Sequence, residues 1–364
     1  MNKHFSLFII ILFYSFSSFA QAPKYSNEFL TIGVGARALG LSNSCIASTA
    51  DVTSGYWNPA SLSGINSDIQ VSLMHSDYFS GLAKYDYAAL AAKIDDKSAF
   101  GASLIRFGVD DIPNTSELID KDGNINYDRI KTFSAADYGF IFSYSRLTNI
   151  KGLRFGANAK IIHRKVGDFA KAWGFGLDAG LNYKINKWIF AVVAKDVTST
   201  FNAWSYNLSD EMKEVFTITG NEIPKNSLEI TVPRLIIGAC RSFNINEDIS
   251  MNPELNMDIT FDGKRNVAVK SDFASIDPHI GIEFAYKNFI YVRGGIGNIQ
   301  KEINFEGLKE TTFQPNVGIG VRIKNFSIDY ALTDIGNQSI APYSNVFSIK
   351  LNINKKEQSA PSTL

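Results

Sequence analysis

Cysteine and histidine are scarce in this chain of 364 residues, which contains two cysteines and four histidines. Cys45 and Cys240 lie far apart and form neither a close CxxC pair nor a four-cysteine framework, so we expect two free structural thiols. The histidines have no metal-ligand spacing such as HExxH; they are His4, His75, His163 and His279. The oxygen-rich stretch 120–128 begins like a calcium loop, but its sixth position is Ile125 where glycine is needed and its twelfth is Lys131 where glutamate is needed. We therefore expect no metal and no cofactor.

Net charge is also lacking, because 36 Lys and Arg balance 36 Asp and Glu. A basic surface for nucleic acid is not indicated, and we expect no nucleic-acid partner. Catalytic motifs are missing too, since neither Ser54-Gly55 nor Ser80-Gly81 belongs to a GxSxG nucleophile elbow. The sequence predicts a protein that is not an enzyme.

Long apolar runs are confined to the N-terminus. Residues 1–20 have a short polar start, the apolar run Phe5 to Tyr14 and the small residue Ala20, which together indicate a secretory signal peptide cleaved before Gln21. The alternative is an uncleaved anchor, but the run is shorter than the ~20 residues that a spanning helix needs. The exported chain must then be periplasmic, secreted, or an outer-membrane barrel.

Alternation of apolar and polar residues is the strongest signal in the rest of the chain. Trp173 to Tyr183 has apolar residues at odd positions and small or polar ones at even positions, and Met251 to Phe261 and Phe313 to Ile323 repeat the pattern. Successive side chains of a strand point to opposite faces, so each strand has one apolar face. Segments of about ten alternating residues are typical of transmembrane β-barrel strands.

The number of strands and the lengths of their connections support the same interpretation. We predict 14 strands, near 68–76, 82–94, 98–109, 132–146, 151–165, 172–184, 187–197, 229–242, 248–261, 278–286, 288–296, 311–323, 325–334 and 342–353. Short turns follow the even strands, and long connections such as 110–131 and 198–228 mostly follow the odd ones. Outer-membrane barrels have short periplasmic turns and longer outer loops. An even count places both termini on the periplasmic side, so the segment before the strands should enter the barrel there.

A soluble β-sandwich or β-solenoid would also alternate. The polar face is too polar for a dry core, however, since it carries Glu254, Asp258 and Arg322. Aromatic residues such as Trp173 and Tyr183 stand at strand ends, as interface girdles do. A closed ring of strands leaves no edge in lipid. The predicted fold class is all-β: a 14-stranded antiparallel transmembrane β-barrel with an N-terminal hatch inside its lumen.

The segment Phe29 to Ile65 does not alternate and is rich in glycine and small residues. Glycine permits close backbone approach and positive φ angles. Asn58 can cap a short helix whose first residue is Pro59. We predict a compact hatch over 21–66, a barrel over 67–354 and a periplasmic tail over 355–364.

Three prolines, Pro233, Pro253 and Pro315, lie inside predicted strands. Proline removes a donor from the hydrogen-bond ladder and is usually found at bulges or edges. We hypothesise that at least one marks a kink through which something passes sideways; the alternative is a harmless bulge at the rim.

The predicted outer loop 198–228 is rich in aromatic residues. Ser209 can cap a helix that begins with acidic residues. Exposed aromatic residues on an outer loop indicate a lid or a partner surface; the candidates are Phe201, Trp204, Tyr206 and Phe216.

Three N-terminal stretches, Ile32 to Gly40, Ala50-Asp51 and Tyr56 to Ala60, resemble the signature of the PorV/PorQ family. That family belongs to the FadL-like group of 14-stranded outer-membrane barrels with an N-terminal hatch. The resemblance implies a Gram-negative, Bacteroidetes-like outer-membrane protein, surrounded by lipid, that belongs to the type IX secretion system and binds its translocon or exported cargo. It singles out eight hatch residues: Gly33, Gly35, Arg37, Gly40, Asp51, Trp57, Asn58 and Pro59.

Within the hatch, we expect Arg37 and Asp51 to pair in the lumen, where the low dielectric strengthens an ion pair and desolvation offsets much of the gain. The alternative function is a FadL-like conduit that carries hydrophobic small molecules across the outer membrane when the hatch moves. Inward faces rich in Asn, Asp and Gly count against that alternative.

Overall fold

A computed structural model describes residues 26–78, 81–115, 118, 124–303, 307–335 and 343–354. The predicted signal peptide, the hatch residues before Ser26, the C-terminal tail and residues 120–123 lie outside these ranges. The signal peptide and the periplasmic tail therefore stay predictions.

Most of the described chain after residue 68 is antiparallel β-strand. The strands are β1 Ile69–Tyr78, β2 Ala83–Lys93, β3 Ser98–Asn114, β4 Lys131–Leu147, β5 Leu153–Val166, β6 Ala170–Ile185, β7 Trp188–Lys195, β8 Thr200–Tyr206, β9 Ser227–Thr231, β10 Arg234–Arg241, β11 Phe243–Asn244, β12 Ile249–Thr260, β13 Ser275–Tyr286, β14 Ile290–Ile303, β15 Lys309–Ile323, β16 Phe326–Thr333 and β17 Ser344–Ile353.

Helices are short and few. They are α1 Ala36–Leu39, α2 Ser54–Trp57 and α3 Asp210–Ile218, with 3₁₀ turns at Glu28–Leu30, Pro59–Gly64 and Tyr127–Arg129. Over the described ranges, no helix has the length and apolar character needed to cross a membrane.

The strands form one closed ring. The first strand, β1, pairs with β2 on one side and with the last strand, β17, on the other, where Ile69 stands opposite Ile353. Counted around the ring of described residues there are fourteen strands, namely β1–β7, β10 and β12–β17. The predicted 14-stranded antiparallel barrel is confirmed, and closure leaves no unpaired edge.

Alternating side chains divide cleanly between the two faces of the wall. On β6, Trp173 and Leu181 are 54% and 49% exposed, whereas Asp178 and Asn182 are 4% and 2% exposed. The apolar face therefore points outward and the polar face into the lumen, which is the reverse of a soluble sandwich.

The segment 198–228 is not the simple loop that we predicted. β8 continues the wall along β6, with Phe201 opposite Phe175, and β9 pairs with β8. Residues 200–203 alternate between buried and exposed, so they satisfy the same pattern as the other strands. The predicted helix is present as α3, and the Ser209 Oγ accepts a hydrogen bond of 3.3 Å from the Met212 N–H.

Each of the three strand prolines borders a gap in the ladder on one side. The partner strand of Pro253 is interrupted between β10 and β11, and pairing of β15 with β16 begins only after Pro315, at Val317. Beside Pro253 the register is unchanged across the gap, with Cys240 opposite Glu254 and Phe243 opposite Met251. At Pro233 the register does change, because Lys195 stands opposite Arg234 below the gap and Thr200 opposite Thr231 above it. The kink hypothesis thus points to Pro233, and sideways passage stays a prediction.

The chain before β1 lies against the inner face of this ring and runs from one end to the other. The Asn27 side chain bonds to Thr231 and Asn202 near the end with long connections, whereas Ser67 reaches Asn352 at the short-turn end. The segment therefore joins β1 at the end with short turns, which the sequence predicts to be periplasmic, but its first described residues lie in the half with long connections. In that half, the polar side chains of Asn202 and Thr231 form hydrogen bonds with Asn27.

Small residues on the inner wall let this chain approach the strands closely. A Cβ added to Gly295 would stand 2.3 Å from the Leu41 carbonyl carbon, and one added to Gly156 would stand 2.4 Å from the backbone of Pro59 and Ala60. Gly294, the neighbour of Gly295 on the outward face, would meet nothing within 4 Å.

These neighbours provide a matched test of the internal packing. We expect Gly295→Ala to lower the free energy of unfolding by about 1–3 kcal/mol, because backbone cannot move aside as a side chain can. Denaturant unfolding of the purified barrel in detergent, followed by heat-modifiable electrophoretic mobility, measures the change.

Gly294→Ala is the control, and its effect should stay within about 0.5 kcal/mol. Equal effects of the two substitutions would contradict the close packing of Leu41 against the wall.

Candidate functional site

Glycines shape the first turns of the hatch, the segment 26–66. Gly33 and Gly35 adopt φ angles of 106° and 84°, which ordinary side chains rarely tolerate, and α1 begins directly afterwards. A Cβ on Gly40 would stand 3.0 Å from the Gly318 Cα, so this glycine marks a close approach of hatch and wall.

The Trp57, Asn58 and Pro59 side chains tie the hatch together. The Trp57 Nε1 donates to the Val34 carbonyl at 2.9 Å. The Asn58 Oδ1 accepts from the Ala60 N–H at 3.1 Å and Pro59 opens the 3₁₀ turn, so the predicted cap is confirmed. The Asn58 Nδ2 also donates to the Leu181 carbonyl at 3.1 Å, which joins this turn to β6.

Arg37 anchors α1 to the wall through Glu283. Its Nε and Nη2 donate to the two carboxylate oxygens at 2.9 and 3.0 Å. The same carboxylate accepts from Arg293 at 2.7 Å, and Arg293 also reaches Asp329 at 2.7 Å. A two-pronged guanidinium–carboxylate contact is the strongest form of this interaction.

The expected pairing of Arg37 with Asp51 is wrong, because each has a partner on the wall instead. Asp51 pairs with Lys350 of β17 and also accepts from the Thr53 N–H at 2.9 Å. Burial alone would raise the pKa of the Asp51 carboxyl, but the Lys350 ammonium outweighs it and holds that pKa below its usual range.

Backbone groups supply a third attachment. The Glu254 carboxylate accepts from the Ala47 and Ser48 N–H groups at 2.7 and 3.0 Å. Cys45 lies beside this contact, and burial raises the pKa of its thiol. Cys45 and Cys240 are both buried and unpaired, as the sequence predicts.

The inward direction of the wall residues that contact the hatch could be predicted from the sequence, but their contacts with the hatch could not. Glu254, Glu283, Asp329 and Lys350 occupy polar positions of alternating strands, which marks them as inward-facing. Which of them meets the hatch depends on strand order around the ring and on the path of the hatch. A charged residue at the middle of an inward face is the signal that could have found them.

Polar cavities lie on both sides of the hatch. The periplasmic one has a volume of about 330 Å³ and is lined by Arg37, Asp51, Glu283 and Lys350 among others. On the outer side a cavity of about 500 Å³ reaches from Tyr56 and Trp57 to residues of the β12–β13 connection. Within the described ranges, no cluster of His, Cys, Asp and Glu is arranged to hold a metal.

The four aromatic candidates of 198–228 do not share one surface. Phe201 faces outward on β8, whereas Trp204 and Tyr206 stand on the opposite face and stack on each other. The Trp204 Nε1 donates to Glu229 at 2.7 Å and its ring lies under Arg164. Phe216 lies apart from them on α3. Their role as a partner surface stays a prediction.

Large apolar side chains are exposed on the connections at the outer end of the barrel. We call this set of residues the outer rim. Phe273 is 82% exposed and Ile218 of α3 is 76% exposed. The other members are Leu82, Ile125, Tyr127 and Leu308. Exposed apolar residues on the outer connections make this end of the barrel a candidate interaction surface.

The family model for the type IX secretion system protein PorV matches residues 21–255, which span the hatch and the wall from β1 into β12. The chain belongs to the PorV family. It is accordingly an outer-membrane β-barrel, as predicted. No curated protein matches the sequence.

Solved structures show the same fold in distant relatives. The toluene transporter TbuX of Ralstonia pickettii is 14% identical, with a TM-score of 0.53 over 88% of this chain and 99% of its own. The toluene transporter TodX of Pseudomonas putida is 14% identical, with a TM-score of 0.54 over 89% of this chain and 99% of its own. The titles of these FadL-like barrels refer to transport, and the PorV family description refers to secretion. None of them refers to a chemical reaction.

The bidentate contact of Arg37 with Glu283 makes a direct test possible. Glu283→Gln leaves Arg37 and Arg293 buried without their shared carboxylate, so we expect a loss of about 3–5 kcal/mol in the free energy of unfolding. Denaturant unfolding in detergent measures it.

Glu247→Gln, in an exposed turn, removes a carboxylate that faces water and serves as the control. A loss no larger than the control's would show that the contact does not hold the hatch.

The Asp51–Lys350 pair predicts a dependence on pH. Because the pKa of Asp51 is depressed in the folded state, its contribution is complete above the unfolded pKa of about 3.9 and disappears as pH falls through the folded value. The difference in unfolding free energy between the native chain and Asp51→Asn should be constant from pH 8 to 5 and shrink below about pH 4.

Asp96→Asn, in an exposed turn, is the control, and its difference should stay small at every pH. If the difference in unfolding free energy between the native chain and Asp51→Asn grows on acidification, the stabilising role of the Asp51–Lys350 pair is refuted.

Proposed function

We propose that this barrel is a non-enzymatic component of the type IX secretion system that binds the translocon or exported cargo proteins through its outer rim. The outer rim carries the proposal, because Phe273 and Ile218 are largely exposed to water, even though the edge of the Phe273 ring meets the Phe261 ring at 6.2 Å. Membership of the PorV family supplies the secretion system in which such a partner would be found.

The lumen supports a role at the rim rather than through the pore. The hatch is attached to three strands of the wall, through Glu254 of β12, Glu283 of β13 and Lys350 of β17. Buried ion pairs are costly to break singly, since each broken pair leaves an uncompensated charge. Because the hatch is held by these contacts, we expect the barrel to stay closed and to bind its partners on its outer surfaces.

A FadL-like conduit for hydrophobic molecules is the alternative. The register change at Pro233 favours it, because that gap borders a cavity lined by Val232, Pro233 and Phe261. The same cavity is lined by four charged wall residues, Lys160, Asp178, Lys195 and Asp196, with Arg234 beside them. Charges along the path disfavour an apolar passenger.

Photo-crosslinking in the native host tests the proposal. A photoreactive amino acid at Phe273 or Ile218 should give adducts with a type IX translocon protein or with exported cargo, and mass spectrometry tells the two apart. Phe273→Asp with Ile218→Asp should reduce surface display of cargo, because a charge is unfavourable in an apolar interface.

Ile245, which is 56% exposed in a periplasmic turn, supplies the matched position for the crosslinker and for an Asp substitution. Adducts from Ile245 alone, or normal display by the double rim variant at normal barrel levels, would refute the rim as the partner surface. Uptake of a hydrophobic probe that depends on the barrel would favour the conduit.

A further inference from the structure

Two cavities on the outer side of the hatch form one chamber. Both are lined by Glu28, Thr31, Tyr56, Lys195, Arg234 and Arg265. The larger lobe has a volume of about 500 Å³ and is floored by the hatch residues Tyr56 and Trp57. Its walls are polar side chains of β10, β12, β13 and β14, so the chamber has the composition of a site for a hydrophilic molecule.

Lys195 is the unusual charge in this chamber. It is only 6% exposed, its Nζ donates to the Tyr56 carbonyl at 3.0 Å, and the same atom lies 4.1 Å from the centre of the Tyr56 ring. Within the described part of the chain, no carboxylate lies within ion-pair distance of it. The two arginines of the chamber differ, because Arg234 faces Asp258 at 3.4 Å and Arg265 faces Asp262 at 2.6 Å.

An ammonium group has three donors, and a buried one is stabilised by an opposite charge. The carbonyl and the ring of Tyr56 satisfy the Lys195 ammonium only in part. Asp178 and Asp196 attract Lys195 from beyond ion-pair distance, but both pair directly with Lys160. A carboxylate entering the chamber would be the first to contact the Lys195 ammonium.

The chamber also holds acceptors without donors. The Oδ1 atoms of Asn43 and Asp277 line the larger lobe, are buried, and have no hydrogen-bond partner among the described residues. The Thr260 Oγ1 in the smaller lobe is also buried and has no hydrogen-bond partner among the described residues. Buried polar atoms are nearly always paired, so these atoms indicate a ligand that brings N–H or O–H groups.

We propose that the chamber binds a small hydrophilic carboxylate that also carries hydrogen-bond donors, the chemistry of a short peptide. Its carboxylate pairs with Lys195, and its N–H groups donate to Asn43 and Asp277. This site is separate from the outer rim and does not depend on a partner binding there. It also differs from an apolar conduit in the class of molecule that it accepts.

Isothermal titration of the purified full chain in detergent tests the site with three probes: trialanine, trialanine amide and octanoate. Trialanine should bind, and its amide should bind about ten-fold more weakly or worse, because the amide lacks the charge that pairs with Lys195. Octanoate has the carboxylate without the donors and should bind more weakly than trialanine.

Lys195→Met should abolish trialanine binding, and Lys195→Arg should restore part of it. Lys171→Met, which removes an exposed lysine of β6, is the control and should bind trialanine normally. Heat-modifiable mobility checks that each barrel is folded, and the comparison of acid with amide in the native chain tests the site if Lys195→Met does not fold.

Several results would overturn the proposal. Equal affinity for trialanine and its amide would remove the role of the carboxylate. Unchanged trialanine binding by a folded Lys195→Met barrel would place the binding elsewhere. Tighter binding of octanoate than of trialanine would assign the chamber to amphiphilic molecules, and no binding of trialanine at all would reject the site.

Discussion

The structure depends on one constraint: a backbone that crosses lipid must satisfy its own hydrogen bonds. A sheet meets this condition only when its first strand pairs with its last, as β1 does with β17. Closure creates an interior, and alternation then lines that interior with the polar half of every strand. The charged residues of the lumen are therefore a consequence of the closed wall; some pair with each other, as Arg293 does with Asp329, and others pair with the hatch.

Hatch and wall contribute complementary halves of each contact. The hatch supplies a guanidinium at Arg37, a carboxylate at Asp51 and free backbone N–H groups at Ala47 and Ser48, and the wall supplies the opposite group each time. Contacts of this kind specify one position of the hatch, because each charge has its partner in one place. Inner-wall glycines then permit backbone contact between them.

The sequence predicted the wall well because strand geometry is local. Alternation in Trp173 to Tyr183 depends only on neighbours two residues apart, and the Asn58 cap depends only on the next turn. The partner of Arg37 could not be predicted in this way, since Glu283 reaches it through strand order around the whole ring. The segment after Lys195 was predicted as a loop because of its aromatic residues, although residues 200–203 alternate between buried and exposed as the other strands do.

The direction of the hatch has a consequence for how the molecule forms. The segment beginning at Ser26 is synthesised before any strand and lies in the outer half, while the ring closes through a pairing of its first and last strands. A closed wall leaves that segment no route to its place past Glu254, Glu283 and Lys350 without breaking their contacts. Packing of the hatch and closure of the ring therefore depend on each other, and closure requires a contact between the two ends of the chain, a type of long-range contact that slows folding in general.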